Sequence, residues 1–547
     1  FVNAQQPAVH IIPEPVEIKM TEGVFMLNPS SSISVSHADK DLERVAGMLS
    51  EELNRATGYK LPVRAPGIMT NNVGNILLEI NKNADAVLGN EGYRLKVSGT
   101  TVQISANKPA GIYYGIQTFL QLLPKEIASP SVMNNVTWQA PNVEILDYPR
   151  FGWRGLMFDV SRHFFTKEEV KEFLDDMAKY KFNLMHWHLT DDEGWRIEIK
   201  TLPKLTETGA WNVKRVGTFG DFIPPTADEK RDYGGFYTHE DIREIVQYAS
   251  DRFINILPEV DVPGHSLATI ASYPELSCTP GAEKYRVRSG EKIMNWHSKG
   301  FTALVDNTLC PANEKVYTFL DKVFTEVARL FPFEYIHMGG DECAKNFWEK
   351  NPQILALMKR EKLKDMHEVQ SYFVKRVSNI ISSKGKKMIG WDEILEGGLP
   401  KNAAVMSWRG VKGGIEAAKL GHEVVMSPTT FAYLDYMQTD RIIEPPVYAT
   451  LRLKTSYSFE PVPDGVDPKL IKGGQGNIWT EQIYNTRHLQ YMTWPRAFAI
   501  SESVWSQKEK KNWENFVPRV ESHFARFESA GKKYAPSMYD PVIKARK

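Results

Sequence analysis

Residues 331–342 read FPFEYIHMGGDE, an apolar run followed by a glycine pair and two adjacent carboxylates. Tyr335–Met338 has the length and composition of a short buried strand. Glycines weaken the strand that carries them, and two like charges this close resist ionising together. A strand that ends this way implies chemistry that needs Asp341 and Glu342 side by side.

Working outward, the same short apolar run recurs at 156–160 (LMFDV), 183–188 (NLMHWH) and 254–260 (INILPEV). It appears again at 388–391 (MIGW), 404–408 (AVMSW), 423–426 (EVVM) and 475–479 (QGNIW). Helical patterns separate several of these runs, at 170–179, 242–249, 316–330 and 369–381. Val316, Phe319, Leu320, Val323, Phe324 and Val327 make one apolar face. Eight strand candidates with intervening helices fit an α/β fold of the (β/α)8 TIM-barrel type better than an open doubly wound sheet. No glycine-rich phosphate loop follows the first strand, which weakens a dinucleotide-binding reading.

The reading divides the chain into four parts. In residues 1–4, Val2 and Ala4 stand at the spacing of a signal-peptidase site, so this stretch is expected to be the remnant of an export signal. Such a protein would be periplasmic, cell-surface or secreted. Residues 5–149 mix amphipathic helices (Leu42–Leu53, Ile112–Leu123) with alternating strands near 76–80 and 93–104, as in a small α+β accessory domain. Residues 150–505 form the barrel, and 506–547 a helical extension expected to pack on it. Composition narrows the function. Lys+Arg and Asp+Glu balance at 67 each, giving no field to favour nucleic acid or an anionic membrane. No run of 18 apolar residues spans a bilayer. Three cysteines, at 278, 310 and 343, exclude a disulfide scaffold and leave the pairing of Cys278 with Cys310 open. Monomer and homodimer are both compatible with this composition.

In a barrel of this kind the C-terminal strand ends face the active site. Polar residues collect at those ends: Asp159 to His163, His186 to Asp192, Glu259 to His265, Asp341-Glu342, Trp391 to Glu393, Trp408, Tyr433 to Asp435, and Trp479 to Glu481. A carboxylate at a strand end is often a helix cap and an isolated Trp is often packing. Eight ends filled with acids and aromatics describe instead a glycosidase, with proton-transfer groups between walls for pyranose faces. Metal binding competes, because His186-x-His188 puts two imidazoles on one strand face, with His265 and Asp341 available as further ligands. That reading gives the tryptophans and the acid pair no role. A glycan-binding barrel without activity would be expected to lack Asp341, Glu342 or Tyr433, and all three are present.

RGLMFDVSRHFF, HWHLTDDEGWRIEI, PEVDVPGH, HMGGDE and IWTE, in this order, resemble the family-20 glycoside hydrolases, the β-N-acetylhexosaminidases. The likeness runs from about Trp153 to Ser503, and residues 1–149 resemble the accessory domain that precedes this barrel. It implies removal of terminal β-linked N-acetylhexosamine from an oligosaccharide or glycoconjugate, without cofactor or metal. Catalysis in this family is substrate-assisted, the sugar's own acetamido oxygen attacking C1. By resemblance Glu342 is the general acid and base, and Asp341 the partner of the acetamide N–H. A neighbouring anion should raise the Glu342 pKa. Asp191 and His265 resemble a relay behind Glu342, with Asp191 fixing the histidine tautomer, and Tyr433 a donor to the acetamido oxygen. Arg162, Asp435 and Glu481 resemble the groups that hold the sugar hydroxyls, and Trp391, Trp408 and Trp479 its aromatic walls. His186, His188, Asp192, Glu259, Asp261 and Asp392 are left as supporting residues. The loops 212–240 and 438–470 are where substrate preference could be decided.

Overall fold

The computed structural model describes residues 9–65, 74–298, 300–439 and 442–536. The expected export remnant, Phe1–Ala4, and the last residues of the C-terminal extension lie outside these. Eight parallel strands close on themselves: β1 (Trp153–Asp159), β2 (Leu184–His188), β3 (Asn255–Glu259), β4 (Tyr335–His337), β5 (Lys387–Trp391), β6 (Ala404–Ser407), β7 (Val424–Met426) and β8 (Ile471–Ile478). β1 pairs with β2 and with β8, and β2 with β3, so no edge is left open. All eight apolar runs of the sequence lie in or against these strands. Their near-continuous burial explains why they read as solid apolar stretches rather than alternating ones.

The barrel is filled, not hollow. Trp153, Met157, Leu184, Leu257, Ile389 and Met406 form part of its inner cluster. The helices between the strands start on side-chain caps. Thr166 and Thr238 each make a capping box, with Glu169 and Asp241 respectively. The helix Glu314–Leu330 buries Val316, Phe319, Leu320, Val323, Phe324 and Val327, the face its spacing predicts.

Ahead of the barrel, seven strands form a mixed sheet against two helices, Lys40–Thr57 and Pro109–Leu122. Glycine is required where the first helix stops, because Gly58 sits at φ 72° and returns its N–H to Asn54. The sequence reading missed four strands of this sheet, Glu17–Met26, Ser32–Val35, Val63–Arg64 and Gln139–Asp147. Glu17–Met26 pairs antiparallel with Gln139–Asp147, and neither alternates cleanly enough to announce itself.

Buried charges join the sheet domain to the barrel. Lys181 Nζ contacts Asp147 Oδ2 at 2.8 Å, and Trp505 Nε1 donates to Asp147 Oδ1 at 3.0 Å. Arg154, the second residue of β1, holds Glu91 at 2.7 Å. The C-terminal helix Trp513–Ser529 packs on more than the barrel. Arg519 pairs with Glu502 on the barrel side and with Glu14, while Arg526 donates to the carbonyls of Leu120, Gln121 and Leu123. Cys278 and Cys310, left open by the sequence, form a disulfide, and Cys343 is a buried free thiol. Among the described residues no helix is long and apolar enough to cross a membrane.

Candidate active site

β4 is only three residues long because the chain turns left-handed directly after it. Gly339 and Gly340 sit at φ 70° and 97°. A Cβ on Gly339 would stand 1.7 Å from Asp261 Oδ1, so only glycine fits there. The turn brings both Asp341 and Glu342 to the wall of one cavity of about 560 Å³, where strand alternation would have sent them to opposite faces. Glu342 itself lies at φ 42°, and His265 at φ 48°. Left-handed backbone costs a non-glycine residue about 1–2 kcal/mol. The fold imposes that cost at these two positions, both in the cavity.

The two acids differ in environment. The Asp341 side chain is 10% exposed and that of Glu342 24%. Burial, with the Glu342 and Glu259 charges, pushes the Asp341 pKa up to about 6 against the pull of His265. Asp341 is the deeper of the two. Asp341 Oδ1 has no hydrogen-bond partner among the described residues.

Behind the pair runs a column of alternating charge. His265 Nε2 lies 3.5 Å from Glu342 Oε2 and 3.9 Å from Asp341 Oδ2, and His265 Nδ1 lies 3.0 Å from Asp191 Oδ1. Asp191 Oδ2 receives His188 Nε2 at 2.8 Å and Arg162 Nη2 at 2.9 Å, and His188 Nδ1 reaches Glu259 at 2.7 Å. Burial alone would lower the His265 pKa. Asp191, Asp192 and Glu342 overturn that and hold it well above its ordinary value. This favours the imidazolium form, whose charge faces Asp191 Oδ1. His188 rises to about 10 despite its burial, through Glu259 and Asp191. His188 and Glu259, left as supporting residues by the sequence, thus continue the column.

The sugar-holding candidates gather on the same cavity. Arg162, His265, Tyr433, Asp435, Trp479 and Glu481 all line it with the acid pair, and each is less than 10% exposed. Neither Asp435 carboxylate oxygen has a partner among the described residues, and burial beside Glu481 raises its pKa well above the carboxylate range. The Arg162 guanidinium lies 4.9 Å from the Trp479 ring centre. Trp408 stacks with Tyr433 at 6.1 Å and 23°, its Nε1 tied to Glu393 at 2.7 Å.

One expectation needs correction. Trp391 does not line the cavity. Its indole is fully buried, 5.8 Å from Trp479, and its Nε1 donates to Glu259 Oε1 at 2.8 Å. As the last residue of β5 it points into the barrel and supports the wall instead of forming it. The four ligands of the metal alternative do not meet around one point: His186 groups with Glu259 and His337, His188 with Asp191 and Asp261, and His265 with Asp341 and Asp261. Sequence reasoning missed Tyr436 and the hairpin residues Met294 and Trp296. It pointed to Tyr448 and to Phe219 only through the loops that hold them.

A closed parallel barrel with an acid pair, aromatic walls and buried charged groups at its C-terminal end is the architecture of a glycoside hydrolase. The glycosyl hydrolase family 20 catalytic domain matches residues 151–508, and domain 2 of that family matches residues 8–148. A β-hexosaminidase of Porphyromonas gingivalis is 38% identical over 532 residues, covering 96% of this chain and 64% of that protein. A β-N-acetylhexosaminidase of Cellulomonas fimi is 31% identical and covers 97% of both chains. The solved GH20 β-N-acetylhexosaminidase of Streptomyces coelicolor A3(2) superposes with a TM-score of 0.83 at 30% identity, covering 98% of this chain and 99% of that one. The chain belongs to glycosyl hydrolase family 20. Its span is thus just under two thirds of the Porphyromonas relative and nearly all of the Cellulomonas one.

Proposed function

We propose that the chain is an exo-acting, retaining β-N-acetylhexosaminidase that removes terminal GlcNAc or GalNAc through an oxazolinium intermediate. The observation that carries this reading is the unequal acid pair: a buried Asp341 with a free carboxylate oxygen beside a more exposed Glu342. The acetamido oxygen of the substrate attacks C1 while Glu342 protonates the departing glycosidic oxygen. Positive charge grows on the acetamide, and Asp341 accepts its N–H. Tyr433, kept in its phenol form by burial, donates to the acetamido oxygen and aims it. Once Glu342 has given up its proton, the His265 imidazolium stabilises the carboxylate left behind. Glu342 then takes a proton from water, which opens the oxazolinium ring at C1 and restores the β configuration. Arg162 holds a sugar hydroxyl through a charge-assisted bond, and Asp435 and Glu481 hold others by ordinary hydrogen bonds.

We also read the Cys278–Cys310 disulfide as support for an exported protein.

Chromogenic β-GlcNAc and β-GalNAc glycosides, assayed with and without chelator, test the activity. Release in both conditions is expected. Loss on chelation would restore the metal reading, and binding without release would make the barrel a glycan-binding module.

A further inference from the structure

A second pair of adjacent carboxylates, Asp392 and Glu393, follows directly on β5, and the chemistry above uses neither. Asp392 is 1% exposed and Glu393 8%, a placement that costs free energy unless both are hydrogen-bonded. What they bond is Trp408, at two points. Asp392 Oδ2 accepts the backbone N–H of Trp408 at 2.9 Å and that of Arg409 at 3.1 Å, which fixes the chain. Glu393 Oε2 accepts the indole Nε1–H at 2.7 Å, which fixes the ring. Arg409 Nε closes the arrangement from the solvent side, 2.6 Å from Asp392 Oδ1.

The indole held in this way faces Tyr433. The two rings stack at 6.1 Å with 23° between their planes, and both line the cavity that Asp341 lines. In the reaction above, Asp341 takes the amide N–H and Tyr433 points at the amide oxygen. The third part of that amide, its acyl carbon chain, then lies along the wall beside Tyr433, and Trp408 is that wall. Trp408 is only half-buried, and the bond to Glu393 is the one hydrogen bond its indole makes among the described residues. Burial, with the Asp341 and Asp392 charges, holds the Glu393 pKa well above the carboxylate range. This favours an uncharged carboxyl as the acceptor, a group that glutamine imitates in shape and in its acceptor oxygen.

We propose that Glu393 is a specificity-determining positioning residue: by holding the Trp408 indole beside Tyr433, it sets the depth of the acyl pocket and limits the substrate to amides with a short acyl chain. Glu393 acts through Trp408 and touches no reacting atom. This rests on the hexosaminidase reading above, since Asp341 and Tyr433 define the pocket around the reacting amide.

The test measures kcat/KM on the 4-nitrophenyl 2-acetamido- and 2-butanamido-2-deoxy-β-D-glucosides and takes the ratio of the two. The wild type should favour the acetamide, because the longer chain meets the fixed indole. Glu393→Ala releases the ring, and the ratio should fall about tenfold, the low end of what one methylene decides in a shaped pocket. Glu393→Gln keeps an acceptor for the indole N–H and should hold the ratio within about twofold of wild type. The ratio does not depend on the fraction of folded protein, so it can be read even from a variant that folds only in part. A ratio unchanged by alanine, with both amides slowed alike or not at all, overturns the proposal. A wild type that cleaves both amides equally well, or a glutamine variant that loses discrimination as alanine does, overturns it too. A wild type that cleaves neither glycoside removes the hexosaminidase reading itself, and the acyl pocket with it.

Discussion

Replacing Asp341 by asparagine should raise stability and destroy activity together, with a pH dependence fixed by the structure. The Asp341 pKa in the folded protein is about 6, against an ordinary value of 3.8, mainly because burial disfavours its charge. The folded state therefore holds a proton that the unfolded state has released between these pH values. Stability contributed by the protonated form is complete below pH 3.8 and is lost as pH rises to about 6. At about 1.4 kcal/mol per pH unit, the loss is about 3 kcal/mol. The asparagine variant has no charge to bury at this position and escapes it. Urea denaturation of both proteins at about pH 4 and about pH 7.5 reads the effect. The advantage of the variant over wild type should grow by about 2.4 kcal/mol from the acidic to the neutral condition, since part of the loss has already occurred at pH 4. Turnover should fall by roughly a hundred- to a thousandfold, the scale of removing one electrostatic stabiliser of a transition state. An advantage that is the same at both pH values would refute the assignment of this buried charge to Asp341.

Three further expectations follow from the same geometry. If Asp341 must be anionic to hold the acetamide, kcat/KM of the wild type should drop on the acid side with an apparent pKa near 6, as read from a pH–rate profile. Glu342→Gln should lose roughly a hundredfold or more on a natural disaccharide, and much less on an activated aryl glycoside, since a good leaving group needs little protonation. Lys181→Met leaves Asp147 buried without its cation, and should cost about 3–5 kcal/mol in the urea transition while sparing the site geometry.

Much of the fold was written in the residues, because a parallel barrel buries both faces of each strand. Runs such as LMFDV and AVMSW are legible for that reason. The accessory sheet was harder. Glu17–Met26 is mostly exposed, so its sequence carries little apolar signal, and its pairing with Gln139–Asp147 joins segments far apart in the chain. In the site, acids and aromatics at strand ends could be found because the fold class states where strand ends lead. Their second-order properties could not. The raised pKa of Asp341 comes mainly from its depth in the cavity, which local sequence does not state. Trp391 reads as a wall only by resemblance to the family, yet its rotation on β5 turns it inward onto Glu259. Trp296 escaped notice because a hairpin carries it to the cavity, a contact with no signature in local spacing.

The proposed chemistry needs an amide on the second carbon of the sugar, since the protein contributes a proton donor and an anionic acceptor but leaves the attack on C1 to the substrate. The most direct measurement compares kcat/KM for the 4-nitrophenyl β-glycosides of N-acetylglucosamine and of glucose. Because an internal nucleophile commands a very large effective concentration, the glucoside should be slower by roughly ten-thousandfold or more. Hydrolysis of the two at similar rates would mean that the amide takes no part, and that a nucleophile other than the substrate does the work.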